Sequence, residues 1–218
     1  MNASAFSPFV RPPAVAIVGA ILAGGLSRRM GGGDKGLRLL AGRPILAHVA
    51  ERAAPQVETL VLNANGDPDR FRNLRLTVVS DDLPGHPGPL AGLLAVLDWA
   101  RRHSPDAVWV ATFPSDAPFF PADLVARLKE AAERTGSPAA CAASGGRPHP
   151  LFGIWCPSLA DPLRRALAEE GLRRAGLWSE RAEAVRVDFP DSPFDPFLNV
   201  NGPEDLAEAE RLARSIET

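Results

Sequence analysis

The residues with the most chemical capacity cluster in two places. Arg28 and Arg29 precede three glycines, Gly31 to Gly33, and then Asp34 and Lys35. Just upstream, an apolar run ends in Leu22-Ala23-Gly24-Gly25. Glycines let backbone N–H groups come close to a ligand, and the cations offset charge, so this stretch suits a ligand with several negative oxygens. A solvated surface loop explains the same residues, so its partners must decide. The second place is Asp116, which ends the apolar run 107–113 in Pro-Ser-Asp-Ala-Pro. Mg²⁺ is held through one or two carboxylates plus substrate phosphates and water, which a single Asp in such a loop can supply. The competing role is a cap for the helix expected after Pro121.

Familiar phosphate motifs do not fit. Gly31-x-Gly33-x-x-Gly36 matches a dinucleotide fingerprint formally but starts several residues after the strand end. No Gly-Lys pair is followed by Ser or Thr, which excludes a Walker loop. There is no Gly-x-Ser-x-Gly elbow, and Cys141 and Cys156 have no metal-ligand spacing. The four histidines form no ligand pattern; His86 and His149 lie in proline-rich stretches, where a structural role is preferred over a contact with substrate.

Further polar residues fall where strands should end. Asn63 is either a turn residue or an amide that meets a nucleobase edge, since it both donates and accepts. Asp81 and Asp82 suit a turn, a ribose contact or a metal-bound water. Asn201 has the position of an N-cap for a last helix at about 203–215. Asn199 has no such ready explanation.

The elements that must carry these residues follow from periodicity. Residues 15–22 form a continuous apolar run, as for a strand covered on both faces of a parallel sheet. Further strands are expected at 57–62, 74–79 and 107–113. Helices are expected from Pro44 to Pro55, briefly at 67–73, and at 90–101, 121–134 and 161–169. Strands at 139–143 and 151–155 flank a Gly-Gly-Arg-Pro-His-Pro connection, and 184–187 is expected at a sheet edge. Alternating strands and helices predict an α/β fold with a mostly parallel sheet between two helical layers. In such sheets ligands bind beyond the carboxyl ends of the strands, where Lys35, Asn63, Asp81 and Asp116 all fall.

The chain has 218 residues, 45% of them apolar, and a formal charge of −2. That fits one domain over 14–218 behind a proline-bearing, flexible arm at 1–13. It gives no general attraction to nucleic acid or to an anionic membrane. The run at 14–23 is too short to span a bilayer, and only Arg11 precedes it as a basic residue. Two reduced thiols in a cytoplasmic protein are expected.

Several segments together resemble the MobA-type molybdenum cofactor guanylyltransferases. They are Leu22-Ala23-Gly24-Gly25, Arg28-Arg29-Met30-Gly31-Gly32, Asp34-Lys35-Gly36, Asn63-Ala64-Asn65, Gly88-Pro89-Leu90-Ala91-Gly92, Asp116-x-Pro118 and Asn199-Val200-Asn201. The resemblance spans roughly 15–210 and implies a Rossmann-like three-layer nucleotidyltransferase fold. It implies GTP, Mg²⁺ and molybdopterin cofactor as reactants, with GMP transferred and pyrophosphate released. Leu22, Ala23, Gly24 and Gly25 would then line the nucleotide, Lys35 would contact phosphate, and Asn63 and Asp81 would face base and ribose. Asp116 would bind the metal, and Lys35 and Asp116 would be the catalytic pair. Arg29, Gly32, Gly88, Asn199 and Asn201 would shape the pterin side. Ser115 and Ala117 stand where relatives often carry Cys and Thr, and Gly33 lengthens the glycine run. The first loop is shared with cytidylyl- and other nucleotidyltransferases, so CMP transfer, or transfer to a sugar phosphate, is the alternative reaction. A non-catalytic module delivering cofactor to molybdoenzyme apoproteins is the alternative from another class. Transient contact with those apoproteins, or with other cofactor-biosynthesis proteins, belongs to either reading.

Overall fold

The computed structural model describes residues 16–24, 35–83 and 88–216. The arm at 1–13, the glycine-rich stretch with Gly25, Arg28, Arg29 and Gly32, and His86 lie outside them.

A seven-stranded sheet forms the centre. Its strands are β1 (Ala16–Leu22), β4 (Thr59–Asn63), β5 (Thr77–Val79), β6 (Ala107–Pro114), β7 (Ala139–Ser144), β8 (Arg147–Trp155) and β9 (Val185–Phe189). Two short strands, β2 (Leu39–Leu40) and β3 (Arg43–Pro44), pair separately as a hairpin. The sheet order is β5-β4-β1-β6-β8-β7-β9. Only β8 runs against the others, pairing antiparallel with β6 and β7. The expected mostly parallel architecture is therefore the observed one.

Helices α1 (Ile45–Ala53), α3 (Leu124–Thr135) and α6 (Pro203–Ile216) cover one face of the sheet, and α2 (Pro89–His103), α4 (Ala160–Ala168) and α5 (Ala175–Arg181) cover the other. This explains the unbroken apolar run of β1. Ile17 and Ile21 enter the first core, while Val18, Ala20 and Leu22 enter the second. An ion pair between Arg164 and Asp98 joins α4 to α2 at their edges.

The differences from expectation have local causes. The third parallel strand begins at Thr77 rather than 74, because a 3-10 turn runs to Leu74 and Arg75 is left-handed, with φ of 54°. The Arg-Pro-His-Pro stretch is strand, not connection; only Gly145 and Gly146 turn, each with positive φ. Both prolines are tolerated because β6 pairs with β8 only from Gly153 to Trp155, so 147–150 has a neighbour on one side alone. Helix α3 starts at Leu124, after a turn closed by Leu124 N on Pro121 O. Helix α6 starts at Pro203, as expected, and Asp205, inside its first turn, accepts from the N–H groups of Asn201 and Gly202, each at 2.8 Å.

One buried polar chain crosses the sheet centre. Trp155 Nε1 donates to Thr112 Oγ1 at 3.1 Å, and that hydroxyl donates to Gly153 O at 3.3 Å. Thr112 is 1% exposed, so no water can replace it. Replacing Thr112 with Val keeps the shape and strands both partners. We expect Thr112→Val to lose about 1–3 kcal/mol in urea unfolding, the cost of orphaned buried polar groups. A loss below about 0.5 kcal/mol would show that the chain carries little stability.

Candidate active site

The parallel strands end in step. Leu22 lies opposite Asn63 and Pro114, and Asn63 lies opposite Val79, so these residues form one row across the sheet. Two residues past that row, on each strand in turn, come Asp81, Asn65, Gly24 and Asp116. Backbone hydrogen bonds carry the ladder over the edge: Ala23 N donates to Asn63 O at 2.8 Å, Ala64 N to Val79 O at 3.1 Å and Ser115 N to Leu22 O at 3.3 Å. The loop roots are therefore held by the sheet itself.

Beside β1, amides and a carboxylate interlock. Asn63 Nδ2 donates to Val79 O at 3.0 Å and to Asp81 Oδ1 at 2.8 Å. Asn65 Nδ2 donates to Asp81 Oδ2 at 2.8 Å, and Asn65 Oδ1 accepts from Asp81 N at 2.9 Å. Asn63 is 1% exposed and both its N–H groups are spent, so the donor half of its amide is committed to holding Asp81. Asp81 is half-buried and Asp82 exposed.

Two glycines make room for this cluster. A Cβ on Gly24 would stand 3.2 Å from Asn63 Oδ1 and 3.6 Å from Asp81 Oδ2. A Cβ on Gly92, in α2, would stand 2.1 Å from Asn63 Oδ1, closer than any real contact. Helix α2 can thus touch the Asn63 amide only through a residue with no side chain. Gly88, which precedes α2 with φ of 89°, is exposed and has open space around it.

The chain that leaves the rim at Gly24 is back at Lys35, whose backbone opens a 3-10 turn. The next residue, Gly36, packs against β6: a Cβ there would lie 3.5 Å from Ser115 O and 3.6 Å from Ser115 Cβ. Residues 24 and 36 are therefore anchored on opposite flanks of β1, against Asn63 and Asp81 on one side and beside Asp116 on the other.

Asp116 is half-buried, and its carbonyl accepts from Val200 N at 2.7 Å. That bond ties the Asn199–Asn201 segment to the same rim. Asp116, Asn199, Arg147, His149 and Arg174 line a cavity of about 480 Å³. Asn199 is exposed there, and Asn201 is exposed as well. Among the described residues no group of three or more His, Cys, Asp or Glu could hold a metal ion. A single carboxylate instead fits a metal that arrives with phosphate ligands of its own, as Mg²⁺ does.

Sequence reasoning named His149 but not the two residues behind it, Ser144 and Asp195. Ser144, at the end of β7, donates to Asp195 Oδ1 at 2.8 Å and lies 2.7 Å from His149 Nε2. Asp195 Oδ1 also accepts from Phe197 N at 3.0 Å, and the His149 ring rests on Phe197 with centroids 4.7 Å apart. Burial holds His149 below its usual pKa; nearby Asp195 raises it and Arg147 lowers it further. These residues are scattered between 144 and 197, so no local spacing marks them. Gly92 did carry a signal, as the last glycine of Gly-Pro-Leu-Ala-Gly.

This geometry has known counterparts. The MobA-like NTP transferase domain matches residues 19–183. The molybdenum cofactor guanylyltransferase of Bradyrhizobium sp. is 54% identical over 91% of this chain and 93% of its own length. That of Rhodopseudomonas palustris is 51% identical over 94% of this chain and 97% of its own. Among solved structures, molybdopterin-guanine dinucleotide biosynthesis protein A from Archaeoglobus fulgidus superposes with a TM-score of 0.70 at 25% identity, covering 91% of this chain and 99% of that one.

The Gly92 contact yields a test. Gly92→Ala must displace the Asn63 amide, whereas in an Asn63→Ala background the same change meets empty space. We expect the double variant to be more stable than the sum of the single losses by about 1–3 kcal/mol in chemical unfolding. Simple additivity would show that Gly92 does not set the position of Asn63. Domain match, high identity over nearly full length and shared architecture agree, and the chain belongs to the MobA-like NTP transferases.

Proposed function

We propose that the protein transfers GMP from GTP to molybdopterin cofactor in the cytoplasm, forming the guanine dinucleotide cofactor and releasing pyrophosphate. The observation that carries this reading is the shared rim: the anchored ends of the glycine-rich stretch and Asp116 flank the same strand end. Identity of about half to proteins named molybdenum cofactor guanylyltransferase supports the choice of guanine and of acceptor. Among the described residues no helix is long and apolar enough to cross a membrane.

In this reading an oxygen of the acceptor's terminal phosphate attacks the α-phosphorus of GTP. The new P–O bond forms as the bond to the β-phosphate oxygen breaks, and pyrophosphate departs. No general base is required, because the attacking phosphate is already ionised near neutral pH. The protein's work is alignment and charge neutralisation. Leu22, Ala23, Gly24 and Gly25 present backbone to the nucleotide, and the Asn63–Asp81–Asn65 cluster fixes the wall they lean on. Asp81 faces the ribose side. Lys35 offsets phosphate charge as it develops. Asp116 would hold Mg²⁺ entering with the nucleotide, which would supply further charge neutralisation at the phosphates. Arg29, Gly32, Gly88, Asn199 and Asn201 border the acceptor. Recipient molybdoenzyme apoproteins are the partners this product calls for.

Asp116→Ala is expected to abolish pyrophosphate release from GTP while circular dichroism stays that of the wild type; retained Mg²⁺-dependent release would remove Asp116 from the metal site. Lys35→Ala is expected to lower kcat/KM by roughly tenfold to hundredfold, the loss of one charge-assisted contact worth about 1.5–3 kcal/mol. An unchanged rate would take Lys35 out of the reaction. Radiolabelled GTP and CTP, each offered with purified cofactor, test base choice. Faster CMP transfer would overturn the guanylyl assignment.

A further inference from the structure

A polar relay that the phosphate chemistry above leaves unused reaches the cavity beside Asp116 through His149. It runs from His149 through Ser144 to Asp195. It is not a nucleophilic triad, because the serine sits between the other two and its hydroxyl proton points to the carboxylate. A carboxylate only accepts, so Ser144 Oγ donates to Asp195. With its one proton spent, Oγ must accept from His149, which places the imidazole proton on Nε2. Burial disfavours the charged imidazolium, so the ring is neutral and Nδ1 keeps a lone pair. Phe197 covers the ring at 4.7 Å. Among the described residues nothing donates to Nδ1, while His149 lines the cavity that Asp116 shares.

Resting on the reading that this cavity receives the acceptor, we infer that His149 binds the acceptor's heterocycle, with Nδ1 accepting a hydrogen bond from a ring N–H or exocyclic amine. Ser144 and Asp195 are the positioning residues that fix the tautomer and the ring. Arg147 and Arg174 line the same cavity and suit the acceptor's phosphate. The cavity, about 480 Å³, has the size of a small-molecule site. A fused heterocycle with an amine edge at one end and a phosphate at the other matches this arrangement of one neutral acceptor and two cations.

Two substitutions separate binding from mere bracing. Asn places an amide oxygen near the position of Nδ1 but does not reach Ser144. Gln reaches Ser144 with an amide N–H but leaves the Nδ1 position empty. In the full-length enzyme, His149→Asn is expected to keep the KM for molybdopterin cofactor within about threefold of wild type. His149→Gln is expected to raise it about tenfold or more, the loss of one hydrogen bond to substrate. In both variants the Kd for GTP, measured by equilibrium dialysis, stays at the wild-type value. Rescue by Gln alone, equal losses in both, or no loss in either overturns the inference, as does a matching shift in GTP affinity. ¹⁵N-histidine spectra of the wild type need no substitution: the unprotonated Nδ1 signal of His149 must move when cofactor is added and not with GTP alone. A stationary signal in an enzyme that turns over cofactor and GTP rejects this role and leaves the transferase reading intact. A wild type that makes no guanine dinucleotide from cofactor and GTP fails at the reading beneath it.

Discussion

The end of β1 is the constraint on which the site depends. Leu22 is paired on both sides, to Asn63 and to Pro114, and the backbone bonds from Ala23 and Ser115 continue that pairing past the edge. A central parallel strand has no freedom to slide, since a one-residue slip would exchange its two buried faces. The glycine-rich stretch therefore leaves from a fixed point. It returns to one as well, because Gly36 is pressed against Ser115 on the neighbouring strand. Whatever the intervening residues do, their ends stand within reach of Asp116 on one flank and Asp81 on the other.

Rigidity at such a site has to come from polar groups, because the rim lies beyond the hydrophobic layers. The Asn63–Asp81–Asn65 cluster supplies it with interlocking bonds of 2.8–3.0 Å. A buried amide is costly unless satisfied, and Asn63 is satisfied by the very carboxylate it orients. Gly92 and Gly24 are the steric complement: each leaves the space that the Asn63 amide fills. The cluster is held by the protein's own bonds, and in the proposed function it is the wall on which the nucleotide leans. Such bracing is what transfer between phosphates needs, since alignment is most of the catalysis. Near Asp116, the Ser144–His149–Asp195 relay has the same character, with the His149 ring held by partly buried bonds.

Much of this was legible in the sequence, for identifiable reasons. The unbroken apolar run of β1 showed a strand covered on both faces, and polar residues after apolar runs marked Asn63, Asp81 and Asp116. The alternation of strands and helices showed the layers. What stayed hidden depended on contacts between distant residues. Nothing near His149 announces Ser144 or Asp195, and prolines at 148 and 150 argue against the strand that forms there. That strand pairs with β7 and tolerates its prolines because its other side is unpaired, which is a fact of sheet order. Helix α5 is short, contains Gly176 and is held largely by the burial of Trp178, a signal too small for periodicity. Only the folded chain shows Asp205 reaching back to the N–H groups of Asn201 and Gly202.

The central claim is that one nucleotide lies across the end of β1, with its phosphates between the glycine-rich stretch and Asp116. A crystal structure with a non-hydrolysable GTP analogue and Mg²⁺ tests it most directly. The account predicts the triphosphate over Gly24 and Lys35, the metal on Asp116, and the ribose toward Asp81. A nucleotide bound elsewhere, or a metal coordinated without Asp116, would contradict it.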